Sequence, residues 1–359
     1  MWKVQLFNLN YDYREQDAAI KVINSGWLSM GENVIKFENE FSNFIGHGSM
    51  CSAVANCTAA LHMALLALNI KEDDEVIIPA LTFVADANVV SFVGAKVVLA
   101  DCDSYENWNV SLNSIKNSIT EKTKAVIVVH FAGYPIEEII AIRNFCKDNK
   151  IILIEDVAHA PGASVNNQKC GSFGDISCFS FFSNKNLSIG EGGLVSTRNE
   201  GLYKKLNYLR SHGMTSLTLD RHKGRSISYD VDQPGLNYRI DEIRAAIGLV
   251  QLKKLIEGNK KRELLTKRYR SSLENSNILI PFSNQSQQCV SAFHILPVLI
   301  PEKFNRNIII SKLKKDGIQT SIHYPAFWNF KAYKKKFNSL EFPIAAHICN
   351  HELTLPLFP

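Results

Sequence analysis

The stretch ISCFSFFSNKNLSIGEGG, residues 176–193, is a strand-like run followed by a polar loop, and the rest of the chain is organised around it. The first seven residues are mostly apolar, as in a buried β-strand, and the sequence then turns polar around Lys185. A lysine just beyond such a strand lies at the rim of a sheet, where loss of solvent favours the neutral amine. We therefore predict that Lys185 is a nucleophile or a base, although a solvated lysine in a turn has the same local pattern.

Short apolar strands alternate with helical segments around this stretch. This alternation is typical of an α/β fold with a largely parallel sheet that is covered on both faces. The strands are predicted at residues 75–78, 96–100, 124–130, 151–156, 176–181 and 194–196. Helices are predicted at residues 14–24, 37–46, 59–68, 85–92, 136–147 and 202–211.

The pattern changes beyond residue 240. A long helical pattern over residues 241–273 is followed by a strand-like run at 291–300 and by further short pieces. We predict a large domain of residues 12–240 and a smaller C-terminal α/β domain of residues 241–359, with residues 1–11 packing nearby. The chain ends in LPLFP without a closing helix, which is compatible with a further segment beyond it.

Composition restricts the class of partner and the compartment. The net charge is +5, from 40 basic and 35 acidic residues without a long block of one sign, so a nucleic-acid partner has little support. No segment approaches the ~18 uncharged apolar residues of a membrane span, and the N-terminus lacks a secretory signal. The eight cysteines show no CxxC and no metal-ligand spacing, so we predict free thiols, no metal site and a cytoplasmic location.

Two other strand ends carry polar groups. The apolar run at residues 53–55 turns through Asn56 and Thr58 into a helix, which creates an anion seat suited to a phosphate, or else an ordinary N-cap. Residues 151–154 are aliphatic and are followed closely by Asp156 and His159. A carboxylate in this place can hold a proton on a bound ring nitrogen; the alternative is a capping aspartate beside a packed histidine.

The three strand ends together match one cofactor. Pyridoxal 5'-phosphate (PLP) offers an aldehyde to a lysine, a ring nitrogen to an acid and a phosphate to the start of a helix. Ligands of open parallel sheets bind at the carboxyl ends of the strands, where we expect Lys185, Asp156 and Thr58 to converge. The sequence therefore predicts a PLP site built on Lys185 and Asp156.

These motifs resemble those of the DegT/StrS-type nucleotide-sugar aminotransferases, PLP enzymes of the aspartate aminotransferase fold (fold type I). The resemblance implies a large domain with a mostly parallel seven-stranded sheet between helices, together with a smaller C-terminal α/β domain. The matching stretches are WLSMG at 27–31, NCTAALH at 56–62, EVIIPALTFVA at 75–85, EDVAHA at 155–160, FSFFSNKNLSIGEGG at 179–193, RSHG at 210–213, GLNYR at 235–239 and LPLFP at 355–359.

The resemblance also assigns roles to single residues. Lys185 and Asp156 are catalytic: Lys185 bonds the PLP aldehyde and Asp156 binds the pyridine nitrogen. His159 lies near the phenolic oxygen, and Phe83 stacks on the ring. The full set of cofactor residues that it implies is Thr58, Ala59, Phe83, Asp156, His159, Ser180, Lys185 and Asn237. Among these, Thr58, Ala59 and Ser180 hold the phosphate, while Asn237 reaches the phosphate in the neighbouring subunit.

The implied activity is transfer of an amino group from L-glutamate to a keto group of a nucleotide-linked deoxysugar, within a homodimer that shares its active sites. Such enzymes serve deoxyamino sugar, polysaccharide or O-antigen biosynthesis. The residues implied on the substrate side are Trp27, Ser29, Arg239, His323 and Tyr324.

Departures from the family pattern leave alternatives open. Cys57 stands where glycine is common, Phe182 and Ser183 replace a frequent His-Pro pair, and the second histidine expected after residues 323–325 is missing. A sugar dehydratase of the same fold has histidine in place of Lys185, which argues against that activity. A cyclitol aminotransferase and a catalytically silent PLP-binding sensor remain alternatives. Among the other histidines, we expect His130 to lie in the core, and His212, His294 and His347 to serve in packing or at the surface.

Overall fold

A seven-stranded β-sheet forms the centre of the protein. The computed structural model describes residues 2–215, 228–334 and 336–359. Among the seven strands, β9 pairs antiparallel with both of its neighbours, and the remaining neighbouring pairs are parallel. The order across the sheet is β1 (Met50–Val54), β9 (Gly193–Thr197), β8 (Ile176–Ser180), β5 (Ile152–Asp156), β4 (Thr123–Val129), β2 (Glu75–Pro79) and β3 (Lys96–Ala100). The predicted α/β fold with a mostly parallel sheet is confirmed.

Helices enclose this sheet and extend into the C-terminal part of the chain. Strands β2, β8 and β9 are buried along their whole length, as expected for strands covered on both faces. The helices are α1 (Tyr13–Ser25), α2 (Glu32–Ile45), α3 (Cys57–Ala67), α4 (Ala85–Phe92), α5 (Leu112–Ser118), α6 (Ile139–Asp148), α7 (Glu200–Arg210), α8 (Glu242–Leu273), α9 (Arg306–Lys315) and α10 (Pro343–His351). Short strands occur at β6 (Ser164–Val165), β7 (Gln168–Lys169) and β10 (Cys289–Val290).

The C-terminal part has a small sheet of its own. Strand β11 (Leu296–Leu299) pairs antiparallel with β12 (Glu352–Leu355). The N-terminal residues reach this part, since the N–H groups of Lys3 and Val4 both donate to the carbonyl of Gly317. The domain boundary at residue 240 stays a prediction. Within the described ranges, no helix combines the length and the apolar character that crossing a bilayer requires.

The strand predicted at residues 291–300 is shorter than expected. Regular pairing covers Leu296–Leu299, while the preceding residues form an irregular segment. The reason is a competing set of hydrogen bonds: the N–H of Ala292 donates to the carbonyl of Gly133 (2.7 Å), and the N–H of His294 donates to that of Ala132 (2.9 Å). This segment is therefore attached to the loop after β4 and not to a strand.

Helix α6 also begins later than predicted, at Ile139 and not at Ile136. The N–H of Ile136 donates to Nδ1 of His130 (3.1 Å), which holds the chain outside the helix at this point. His130 is buried, as predicted, and its Nε2 lies 3.0 Å from a carboxyl oxygen of Glu155. One ring nitrogen of His130 thus holds the loop after β4, and the other contacts Glu155 of β5.

Candidate active site

A cavity of about 600 Å³ opens at the carboxyl ends of the parallel strands. Because parallel strands end at the same edge of a sheet, side chains that are distant in sequence converge there. Polar groups from the first turn of α3, from the ends of β5 and β8 and from the C-terminal part line it together. They include Thr58, Asp156, His159, Ser180, Lys185 and Tyr324.

The start of α3 forms one wall of the cavity. Asn56 is its N-cap, and its Oδ1 accepts a hydrogen bond from the N–H of Ala59 (2.8 Å). A Cβ on Gly193 would lie 2.4 Å from the carbonyl carbon of Asn56, so only glycine lets β9 approach this turn. Ser180 is the register partner of Gly193, which places the serine beside the N-terminus of α3. A helix start and a hydroxyl thus meet at one point, as an anion site requires.

Asp156 ends β5 and is almost completely buried. Its Oδ1 accepts one backbone hydrogen bond, from the N–H of Ala158 (2.8 Å). Burial raises the pKa of the Asp156 carboxyl, while the Ala158 N–H and the charge of Lys185 act in the opposite direction. A cationic group in the cavity would therefore be needed to stabilise the carboxylate fully.

Lys185 lies in the loop after β8 and lines the same cavity. Lys185 is half-buried, and burial lowers the pKa of Lys185 to about 8, against the opposing effects of Asp156 and Cys57. Roughly one tenth of such an amine is neutral at pH 7, far more than for an exposed lysine. The Nζ also lies 3.5 Å from Nε2 of His294. Lys185 thus has the partly desolvated amine predicted from its position after a buried strand.

His159 and Tyr324 form a bonded pair on another wall. The N–H of Ala132 donates to Nδ1 of His159 (3.2 Å), and Nε2 lies 2.8 Å from the Tyr324 hydroxyl. Burial lowers the pKa of His159 well below its usual range, so the ring is neutral and its Nε2–H donates to the tyrosine oxygen. Phe83 lies at the mouth, with its ring centroid 5.4 Å from that of Tyr324.

The cavity brings together most of the predicted site residues but not all of them. His323 and Tyr324 line it, whereas Asn237 and Ser29 are exposed outside it, and Trp27 and Arg239 also lie outside it. The predicted cofactor residues that line the cavity are Thr58, Ala59, Phe83, Asp156, His159, Ser180 and Lys185.

Three further residues of the site were not singled out from the sequence. Tyr238 and His62 both line the cavity, and the tyrosine hydroxyl lies 3.1 Å from His62 Nδ1. Tyr238 lies between Asn237 and Arg239, and His62 ends the NCTAALH stretch, so both motifs carry a signal for these residues. His294, expected to serve in packing, contacts Lys185 and had no local signal in its sequence.

Comparisons with known proteins identify the family of the chain. A profile of the DegT/DnrJ/EryC1/StrS aminotransferase family matches residues 10–359. The chain is 35% identical, over 96% of its length and 90% of the relative, to the spore coat polysaccharide biosynthesis protein SpsC of Bacillus subtilis.

Solved structures show the same likeness. Helicobacter pylori PseC, an aminotransferase involved in the biosynthesis of pseudoaminic acid, has a TM-score of 0.89 and 28% identity over 99% of this chain and 94% of PseC. The PLP form of Spr1654 from Streptococcus pneumoniae, a sugar aminotransferase by its description, has a TM-score of 0.88 and 28% identity over 100% of this chain and 93% of Spr1654. The predicted fold type I is confirmed, and the chain belongs to the DegT/DnrJ/EryC1/StrS aminotransferase family.

Proposed function

We propose that this protein is a PLP-dependent aminotransferase that moves an amino group from L-glutamate to a keto group of a nucleotide-linked deoxysugar. The observation that carries the proposal is the convergence of the Lys185 amine, the Asp156 carboxyl and the first turn of α3 in one cavity. The relatives SpsC and PseC, which are named for polysaccharide and pseudoaminic acid biosynthesis, support a sugar as the amino acceptor and a role in making amino sugars for polysaccharides or O-antigens.

The groups that line the cavity fit this cofactor. The first turn of α3 around Thr58, together with the Ser180 hydroxyl, suits the phosphate, because the partial positive charge of a helix start attracts anions. Asp156 suits the ring nitrogen, and His159 suits the phenolic oxygen. Phe83 offers an aromatic face at the mouth. When bound, PLP supplies an aldehyde that takes up an amino group and a protonated ring that withdraws electrons.

The protein side chains divide the remaining tasks. When PLP is bound, the neutral amine of Lys185 would hold its aldehyde with loss of water. Once an amino donor replaces Lys185, the free amine would take up and return a proton at its Nζ. Asp156 would keep a proton on the ring nitrogen, since a direct ion pair with that nitrogen stabilises the buried carboxylate. In the net reaction L-glutamate leaves as 2-oxoglutarate and the keto sugar leaves as an amino sugar.

We further propose a homodimer with shared active sites. Asn237 is exposed and outside its own cavity, a position that suits a contact with the phosphate site of a partner subunit. On the substrate side we propose His323 and Tyr324 from within the cavity, together with Trp27 and Ser29. Arg239 is the remaining residue of that set. All eight cysteines are free thiols, which supports a reducing compartment, and we propose the cytoplasm.

The test is an absorbance titration followed by product analysis. We expect the protein purified with PLP to show the visible band of a lysine-bound aldehyde, and L-glutamate to remove it. A panel of dTDP-, UDP- and GDP-linked keto sugars should then restore the band and yield an amino sugar detectable by mass spectrometry. Lys185→Ala is the matched control, and we expect it to fold normally and to show no turnover.

Other results would select a different function. A band that does not respond to glutamate indicates a silent PLP-binding sensor. If the protein aminates a keto cyclitol and no nucleotide sugar, the amino acceptor is a cyclitol. If the protein binds no PLP at all, the proposed function is wrong.

A further inference from the structure

A chain of hydrogen bonds leads from the protein interior to the amine of the site. Nδ2 of Asn259 donates to the carbonyl of Pro161 (3.0 Å). Nδ2 of Asn186 donates both to the carbonyl of Ala292 (2.7 Å) and to Oδ1 of Asn259 (2.8 Å). Backbone carbonyls accept but never donate, so these contacts set the orientation of both amides. The Oδ1 of Asn186 must therefore be an acceptor.

That acceptor determines where the proton of His294 resides. Oδ1 of Asn186 lies 3.0 Å from Nδ1 of His294, so Nδ1 carries the hydrogen. In a neutral imidazole the other nitrogen then presents a lone pair. This nitrogen, Nε2, lies 3.5 Å from Nζ of Lys185, which has hydrogens to donate.

The surroundings keep this imidazole neutral. His294 is 3% exposed, and its carbonyl accepts a hydrogen bond from Nη1 of Arg262 (3.0 Å). Burial lowers the pKa of His294 well below its usual range, and the titratable groups that face it, Lys185, His159, Arg262 and His323, act in the same direction. A second positive charge beside Lys185 is thereby avoided, and the lone pair on Nε2 remains available.

We propose that His294 is a positioning residue for Lys185, whose amine donates a hydrogen to Nε2, and that Asn186 and Asn259 hold the ring in the tautomer that this bond needs. The inference rests on the proposed function, in which Lys185 is the reacting amine. An amine that donates to His294 is held at the cavity wall with its own lone pair left for an aldehyde. Asn186 thus acts on the Lys185 amine through His294, and Asn259 acts on it through Asn186 and His294.

The experiment measures the pKa of Lys185 in the full-length apoprotein. The rate of acetylation by acetic anhydride is followed as a function of pH, and the peptide containing Lys185 is quantified by mass spectrometry. We expect an inflection near pH 8 in the parent protein. His294→Phe removes an acceptor that stabilises the ammonium form, so the pKa of Lys185 should fall by roughly one unit. His294→Gln returns an acceptor oxygen close to the Nε2 position and should keep the pKa within about 0.3 units of the parent.

Two further variants separate this role from a structural one. His347→Gln changes a histidine of α10 that contacts Glu302, and it should leave the pKa of Lys185 unchanged. Asn186→Leu keeps His294 but removes the oxygen that fixes its tautomer, so it should lower the pKa of Lys185 by less than His294→Phe does. It also supplies the test if His294→Phe does not fold.

The inference is overturned if His294→Phe, or Asn186→Leu in its place, leaves the Lys185 titration at the parent value. A shift in His294→Gln as large as that in His294→Phe overturns it as well. The absorbance response of the parent protein to glutamate tests the proposed function separately. A normal response with an unshifted Lys185 rejects the positioning role alone, while a parent that binds no PLP rejects the function alone.

Discussion

Glu155 and Asp156 are neighbours at the end of β5, yet their carboxyl groups have opposite environments. Successive side chains of a strand point to opposite faces, so Asp156 meets the cavity and Glu155 meets the loop between β7 and β8. Glu155 accepts hydrogen bonds from His130, from three N–H groups of that loop (Gly171, Phe173 and Gly174) and from the hydroxyl of Ser177 in β8. Asp156 accepts one backbone bond, from Ala158.

The number of donors helps to decide the direction in which the pKa of each carboxyl group moves. Burial alone would raise the pKa of Glu155, but its hydrogen bonds, the one from His130 first, bring the pKa below its ordinary value. For Asp156 the effect of burial prevails and the pKa is raised. These two buried carboxyl groups therefore have different roles. Glu155 joins a loop to the sheet, whereas Asp156 has few hydrogen-bond donors, and a ligand can supply the missing partner.

Asp156→Asn should produce the largest effect on function. We expect kcat/KM for amino transfer to fall by about 10³-fold, roughly 4 kcal/mol in activation free energy, because an amide does not hold the ring proton. The unfolding free energy of the apoprotein in urea should be unchanged or slightly higher, since a neutral side chain replaces a poorly bonded carboxyl. A rate within tenfold of the parent would refute the assignment of Asp156 to the cavity chemistry.

Glu155→Gln is the matched change on the other face and should show the reverse pattern. An amide in this place turns one oxygen acceptor into a donor against N–H groups, which should lower the unfolding free energy in urea by about 2–4 kcal/mol. The folded fraction should keep kcat/KM within a few-fold of the parent. If this variant unfolds like the parent but loses activity, the contrast between the two carboxyl groups is wrong.

Glu352 is a third buried carboxyl and gives a smaller, pH-dependent effect. It accepts from the Thr354 hydroxyl and the His323 N–H, and burial raises the pKa of Glu352 to about 8. Because the pKa in the folded state exceeds that in the unfolded chain, this group lowers stability as pH rises from about 4.5 to about 8. Glu352→Gln lacks this loss, so between pH 6 and pH 9 the unfolding free energy should shift in its favour by roughly 1–3 kcal/mol. Parallel pH profiles for the two proteins would contradict this.

A site residue can be predicted from the sequence only where a local pattern, such as the end of an apolar strand, marks its position. The positions of Asp156 and Lys185 at the sheet edge could be predicted because each lies within a few residues of a largely apolar strand. The antiparallel direction of β9 could not be predicted, since a short apolar run has the same hydrophobic pattern in a parallel and in an antiparallel strand. His294 could not be found either: it lies 109 residues from Lys185 along the chain, and its flanking residues suggested a strand. Backbone bonds to the loop after β4 place it, and such bonds leave no periodic signal in sequence.

The two glycines at the ends of the GEGG motif have different freedom to vary. Gly190 has a φ of 87°, and no atom lies within 4 Å of where a Cβ would be. Only its left-handed backbone conformation limits substitution, and asparagine also adopts that conformation. Gly193 is constrained by space, because any Cβ would strike the backbone of Asn56. An alanine there would move the start of α3 without touching Lys185. During evolution the first position can therefore drift, while the second is closed to every side chain.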